Sequence, residues 1–164
     1  MKYPAATIQT SYTSPLGRML LAANGGKLVG AWFEDQRHLP DSAGWAHVSQ
    51  HPVLQSAQDQ LAEYFAAHRT VFDLPLDLSS GTVFQQNEWC ELLRIEYGIT
   101  SSYSVLSAAM GVPKALRAVG AAIGRNPFSI IVPCHRVLGK TGALTGYAGG
   151  LERKAALLQL EGVL

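Results

Sequence analysis

The stretch Ile130-Ile131-Val132-Pro133-Cys134-His135-Arg136-Val137 constrains this chain more than any other. Three β-branched apolar residues predict a short buried strand. Proline ends it, and a thiol, an imidazole and a guanidinium then stand side by side where the strand stops. Such a strand needs a core behind it and leaves a site in front. A thiol held beside two potential cations is expected to have a lowered pKa and to act as a nucleophile. The competing reading is a buried cysteine with a purely structural role, and the surrounding residues decide between them.

With 164 residues, 48% of them hydrophobic, the chain has room for one ordinary domain or two small ones around a real core. No apolar run approaches the roughly 18 residues of a membrane span, and Met1-Lys2-Tyr3-Pro4 does not open a signal peptide. A cytoplasmic protein with no membrane partner is expected. Cys90 and Cys134 are the only cysteines, both expected to be free thiols. The net charge of +1 hides an asymmetry: through Ser80 there are five Lys/Arg against seven Asp/Glu, and from Gly81 onward eight against five. Between Tyr97 and Leu151 there is no acid, while Lys114, Arg117, Arg125, Arg136 and Lys140 all fall there. A segment of one sign suits a surface that meets phosphates.

Turn and strand signals organise residues 1–80 as an antiparallel meander: a strand over Ala6–Thr13, a turn at Ser14–Gly17, a strand over Met19–Ala23, a hairpin at Asn24–Gly26 and a strand over Leu28–Phe33. Pro52 starts a helix whose Leu54, Ala57, Leu61 and Phe65 recur on one face. Val71–Leu78 reads as extended, and Ser79-Ser80-Gly81 as the linker to a second domain over 81–164. His38, His47 and His51 lack metal-ligand company, so no metal is predicted.

The second half turns helical: Phe84–Tyr97, then Tyr103–Met110, then Lys114–Ile123 after a Gly111-Val112-Pro113 connection. The last two have the form of a helix-turn-helix. The third of these helices is lean, with Ala115, Ala118, Gly120, Ala121 and Ala122 around one long side chain, Arg117. For a helix that enters DNA this leanness implies close approach, with Arg117 as a probe into the base stack; the other reading is an alanine-rich core helix, against which the cost of burying an unpaired guanidinium weighs. Thr145-Gly146-Tyr147-Ala148-Gly149-Gly150 suits a backbone that wraps a flat ligand. In the last helix, Leu151–Leu160, Glu161 sits at the C-terminal end, where the macrodipole disfavours a carboxylate. It needs a partner such as His135, which would give a Cys-His-Glu relay. An exposed, frayed terminus is the other reading.

Gly81-Thr82-x-Phe84-Gln85, Trp89, Ser102-Tyr103, Gly111-x-Pro113-x-Ala115-x-Arg117-Ala118-Val119-Gly120, Asn126-Pro127, Pro133-Cys134-His135-Arg136-Val137, Gly146-Tyr147-x-Gly149-Gly150 and Leu157-Leu158-x-x-Glu161 together resemble the O6-alkylguanine-DNA alkyltransferases. The match spans the second half; in the first half it is chiefly Ser14–Gly17. The resemblance implies an α+β chain with an N-terminal ribonuclease-H-like antiparallel sheet plus helix and a C-terminal winged-helix-like helix-turn-helix domain. It implies a monomer that binds double-stranded DNA in the minor groove, flips an alkylated guanine, and transfers the alkyl group to Cys134 once, without cofactor or turnover.

By the same resemblance His135, through a water, and Glu161 supply the thiolate. Tyr103 assists extrusion and donates to the leaving ring, and Asn126 braces the turn under the site. Arg117, Lys114, Ala115, Arg125 and Tyr103 meet DNA, and Tyr147, Ala148, Gly149 and Val137 line the base pocket. Glu88 and Glu96 depart from the family pattern, the first where an apolar residue is usual and the second where proline is common. Rival readings are a plain helix-turn-helix regulator and a lesion-binding relative without the reactive cysteine, which this chain keeps.

Overall fold

The computed structural model describes Met1–Leu164. Strands β1 (Ile8–Ser14), β2 (Gly17–Asn24) and β3 (Lys27–Phe33) form the expected antiparallel meander. A two-residue strand β4 (Ala46–His47), not foreseen, adds parallel to β1 and gives the order β3-β2-β1-β4. β2 buries five consecutive residues, Met19–Ala23, because both faces of the sheet are covered. One face packs helix α1 (Pro52–Phe65) through Leu54, Ala57, Leu61 and Tyr64. The other is closed by Leu20, Ala22, Val29 and Trp32 under Tyr3 and Trp45. Val71–Leu78 is extended but forms only one isolated bridge, Leu28 to Leu76.

The second half contributes α2 (Val83–Leu92), β5 (Ser101–Ser102), α3 (Tyr103–Ala109), α4 (Leu116–Gly124), β6 (Val137–Leu138) and α5 (Leu151–Leu160). Thr82 and Gln85 close α2's N-terminus as a reciprocal capping box. α2 stops at Leu92, well short of the expected Tyr97. Beyond it the Ile95 carbonyl leaves the helical ladder to accept a hydrogen bond from Arg136 Nη1 at 2.5 Å. α4 begins at Leu116 rather than Lys114, with Ala115 as its N-cap. Trp89 fixes α2 against α4 by donating from Nε1 to the Ala122 carbonyl at 3.0 Å.

The expected strand Ile130–Val132 does not form. These residues lie in a turn, and Ile130 adopts φ 73°, the left-handed region that a β-branched residue avoids. The sheet contact is made just upstream: Ala31 donates to the Pro127 carbonyl and Ser129 to the Ala31 carbonyl, each at 2.8 Å. The edge strand β3 is thereby covered, and the cysteine turn is anchored to the N-terminal sheet. One apolar cluster of 24 buried residues runs from Met19 to Leu157 and draws on both halves.

Glu88 is wholly enclosed, and neither carboxyl oxygen has a hydrogen-bond partner. Burial, with Glu91 nearby, pushes its pKa up to about 7. Glu96 is exposed.

Candidate active site

Asn126 builds the turn that carries Cys134. Its Nδ2 donates to the carbonyls of Phe128 (3.2 Å) and Val132 (2.9 Å) and to Cys134 Sγ (3.1 Å), while its Oδ1 accepts from the Phe128 amide (3.0 Å). Together with the Ala31 bridge and the loop's own backbone bonds, this side chain ties the loop at both ends and helps hold Ile130 in its unfavourable φ. Cys134–Arg136 then forms a single 3-10 turn.

The expectation of a lowered thiol pKa is reversed. Burial pushes Cys134 above the ordinary value, against the opposing pull of the Asn126 hydrogen bond and Lys154. Neither neighbouring cation serves the sulfur. Burial keeps His135 below its usual pKa and neutral, although Glu161 pulls the other way. Arg136 is committed to Glu161. The cysteine therefore rests as a thiol and requires a base.

Glu161 is buried rather than frayed. Oε1 faces His135 Nε2 (2.8 Å), Arg136 Nη2 (2.9 Å) and the Tyr64 hydroxyl (2.7 Å); Oε2 accepts from Arg136 Nε at 2.8 Å. Burial alone would raise its pKa, but the bonds from His135, Arg136 and Tyr64 outweigh it and hold the carboxyl at about 2. A carboxylate facing Nε2 assigns the imidazole proton to that nitrogen, leaving Nδ1 as a lone pair with no protein partner. Arg136 is thus a buried counter-ion, not part of the basic surface.

Two further groups went unnoticed in the sequence. Tyr64 comes from α1, 97 residues before its acceptor. Its only local sign is its place three residues after Leu61 on the buried face of α1. Lys154 is fully buried, donating to the carbonyls of Val137 (2.5 Å), Thr145 (2.6 Å) and Gly146 (3.5 Å). Burial lowers its pKa to about 8. It ties β6 to the glycine loop; its sign was a lysine one turn into α5, on the side that buries Leu157 and Leu158.

β5 and β6 pair in parallel, Ser101 with Val137, and so bring Tyr103 beside the strand that follows the cysteine. Tyr103 donates to the Thr145 carbonyl at 3.3 Å and lies over Gly120 of α4. A Cβ on Gly146 would stand 3.0 Å from the Tyr103 hydroxyl, and one on Gly149 2.8 Å from the Tyr147 ring. Tyr147 is buried, its hydroxyl without a partner and its ring centroid 6.4 Å from that of His135. A cavity of ≈ 340 Å³ opens here between the halves, walled by Tyr103, Gly120, Tyr147, Ala148, Arg125 and, from the first half, Arg37 and His38. The Arg37 amide donates to the Ala148 carbonyl at 3.1 Å.

Arg153 braces the loop from behind, bonded to the Gly149 and Leu16 carbonyls and paired with Asp35 at 2.8 Å. Lys114, Arg117 and Arg125 are exposed, and Ala115 is half-buried. Of the expected site residues, Asn126 with Cys134 and His135 with Glu161 form two bonded pairs that meet at the Cys134–His135 peptide, Tyr103, Tyr147, Ala148 and Arg125 share the cavity, and Arg117 stands apart on α4. Val137 and Gly149, expected in the pocket lining, are not on this cavity's wall; their carbonyls accept from Lys154 and Arg153. No group of three or more His, Cys, Asp or Glu side chains is placed to hold a metal ion, and no helix is long and apolar enough to cross a membrane.

Residues 7–78 match the family model of the 6-O-methylguanine DNA methyltransferase ribonuclease-like domain, and residues 83–163 that of the same family's DNA-binding domain. A methylated-DNA–protein-cysteine methyltransferase of Mycobacterium leprae is 47% identical over 151 residues, covering 92% of this chain and 90% of that protein. The crystal structure of the Mycobacterium tuberculosis O6-methylguanine methyltransferase superposes with a TM-score of 0.85 at 46% identity, covering 94% of this chain and 92% of that one. The structure of the Mycobacterium tuberculosis protein in complex with DNA matches with the same TM-score at 45% identity, over 95% and 92%. With both halves matched and the cysteine, histidine and glutamate joined in one buried group, the chain belongs to the 6-O-methylguanine DNA methyltransferase family.

Proposed function

We infer that this chain repairs alkylated DNA by moving the alkyl group of an O6-alkylguanine onto Cys134 in one irreversible displacement. The observation that carries this reading is the Glu161–His135 bond, which directs the imidazole proton to Nε2 and leaves Nδ1 free in the residue next to the thiol. The thiol proton passes to Nδ1, through a water. The thiolate attacks the alkyl carbon, the carbon–sulfur bond forms as the carbon–O6 bond breaks, and the electron pair leaves on guanine. The Tyr103 phenol protonates the departing ring. A thioether has no good leaving path, so one chain serves one lesion. No cofactor enters the balance.

The base reaches the thiol only out of the duplex. The exposed face of α4, with Lys114, Ala115 and Arg125, lies on the backbone of double-stranded DNA, while Arg117 fills the vacated stack. The flipped guanine enters the cavity at Tyr103 and lies against Tyr147, Ala148, Gly149 and Val137. The chain acts as a monomer.

Intact-mass measurement after incubation with an oligonucleotide bearing O6-methylguanine tests the reading. One methyl group per chain is expected on the wild type and none on Cys134→Ala. An unmodified, folded wild type overturns it.

A further inference from the structure

α4 carries a second projecting side chain that the repair mechanism leaves unused. Leu116 is the first residue of the helix and 46% exposed, next to Arg117. The surface around it is lean: besides Leu116 and Arg117, the exposed residues of the helix are Ala118 and Ala121. Its position is specific. Gly120 lies four residues after Leu116 and three after Arg117, so both side chains stand one turn above it. Gly120 is also where the Tyr103 ring rests, at 3.7 Å from the position a Cβ would take. Leu116 and Arg117 therefore flank the line that leads over Gly120 to Tyr103 and the cavity mouth.

The two side chains have complementary chemistry for opening a duplex. A guanidinium hydrogen-bonds within a vacated position; an aliphatic wedge at a base step unstacks the neighbouring pair. We propose that Leu116 is a second minor-groove probe, an apolar wedge that enters the base step beside the position filled by Arg117 and lowers the cost of extruding the damaged nucleotide. This rests on the repair reading and adds a positioning residue to it. The ligand is the stacked base pair next to the lesion, and the residue acts on extrusion, not on alkyl transfer.

The test uses single-turnover alkyl transfer by the full chain on O6-methylguanine placed in a duplex and in a single strand, with 2-aminopurine beside the lesion to report unstacking. Leu116→Ala is expected to lower the duplex-to-single-strand rate ratio about three- to tenfold and to diminish the 2-aminopurine signal, and Leu116→Met to restore both. A second variant, Leu116→Gln, keeps the reach of the side chain but removes its apolar tip and should behave like alanine. A ratio within about twofold of wild type in both Leu116→Ala and Leu116→Gln, with Cys134 still alkylated, overturns the wedge while leaving the repair reading intact. Absence of alkylation in the wild type overturns both.

Discussion

The Asn126 side chain donates to the Cys134 sulfur at 3.1 Å while holding the carbonyls of Phe128 and Val132 with the same nitrogen. Scaffold and chemistry therefore share one amide, and the geometry of the nucleophile depends on the loop being intact.

Asn126→Ala removes every side-chain bond that holds this turn. The Phe128 and Val132 carbonyls keep only their backbone donors, the Phe128 amide loses its acceptor, and Ile130 loses part of what keeps it at φ 73°. A loss of about 2–4 kcal/mol in urea unfolding is expected. Alkyl transfer should fall with it, because the thiol pKa rises further once its side-chain hydrogen-bond donor is gone. A variant as stable as the wild type would contradict the bracing role.

On the proposed mechanism, His135 is expected to govern the pH dependence of transfer. Burial keeps it neutral, below its ordinary pKa, so a wild-type rate set by this base is flat from neutral pH upward and falls only as acid protonates the imidazole. In His135→Gln the thiol must ionise unaided, and burial has raised its pKa. The variant should be about 100-fold slower at pH 7 and gain roughly tenfold per pH unit on the alkaline side. Rates from pH 5 to 10 by quenched mass spectrometry show the two profiles.

Glu161 makes acid stability a reporter of the same group. Its folded pKa of about 2 lies below the unfolded value of 4.5, so its contribution is present above pH 4.5 and is lost as pH falls toward 2. The shift corresponds to about 3 kcal/mol. Glu161→Gln is destabilised at pH 7, since Arg136 keeps a buried charge without its counter-charge, and its unfolding free energy should fall less steeply below pH 4.5. Urea melts at pH 7, 4 and 3 compare the slopes.

Glu88 has the opposite sign. Its folded pKa of about 7 exceeds the ordinary 4.5, so stability is greatest below pH 4.5 and declines as pH rises through 7. The neutral acid is tolerated; the carboxylate is buried with no partner. Glu88→Leu should therefore raise stability by about 3 kcal/mol at pH 8, with the gain shrinking toward pH 5. Equal stabilities of variant and wild type at pH 8 would show that the carboxylate is relieved there.

What the sequence disclosed depended on distance along the chain. The meander, α1, the lean α4 and the glycine loop follow from local spacing and turn chemistry. Glu161 was conspicuous because a carboxylate at a helix C-terminus is locally unfavourable, and it found the expected histidine. Ile130-Ile131-Val132 misled for the same reason in reverse: β propensity describes a preference that three acceptors around Asn126 override. Arg136 read as surface charge because its acceptor lies 25 residues away, and Tyr64 went unnoticed because its acceptor lies 97 away. Contacts at such separations leave no periodicity to detect. The thiol pKa was misjudged because adjacency in sequence says nothing of where His135 and Arg136 point.

Gly146 tests how closely the glycine loop and the DNA-facing tyrosine are matched. At φ 50° it lies in the region that favours glycine, and an added Cβ would stand 3.0 Å from the Tyr103 hydroxyl. The backbone cost of Gly146→Ala is about 1 kcal/mol, small enough for the chain to remain folded. The crowding acts on function instead. Tyr103 must move away from the Thr145 carbonyl it now bonds, and with it the donor placed to protonate the leaving guanine. Transfer from duplex O6-methylguanine is expected to slow at least tenfold while the melting temperature falls by only a few degrees. Adding Tyr103→Phe should then cost little more, since the hydroxyl is already displaced, whereas Tyr103→Phe alone should be slow. If the two changes instead multiply in a double-mutant cycle, the loop and the hydroxyl act independently and the contact at Gly146 is not what positions Tyr103.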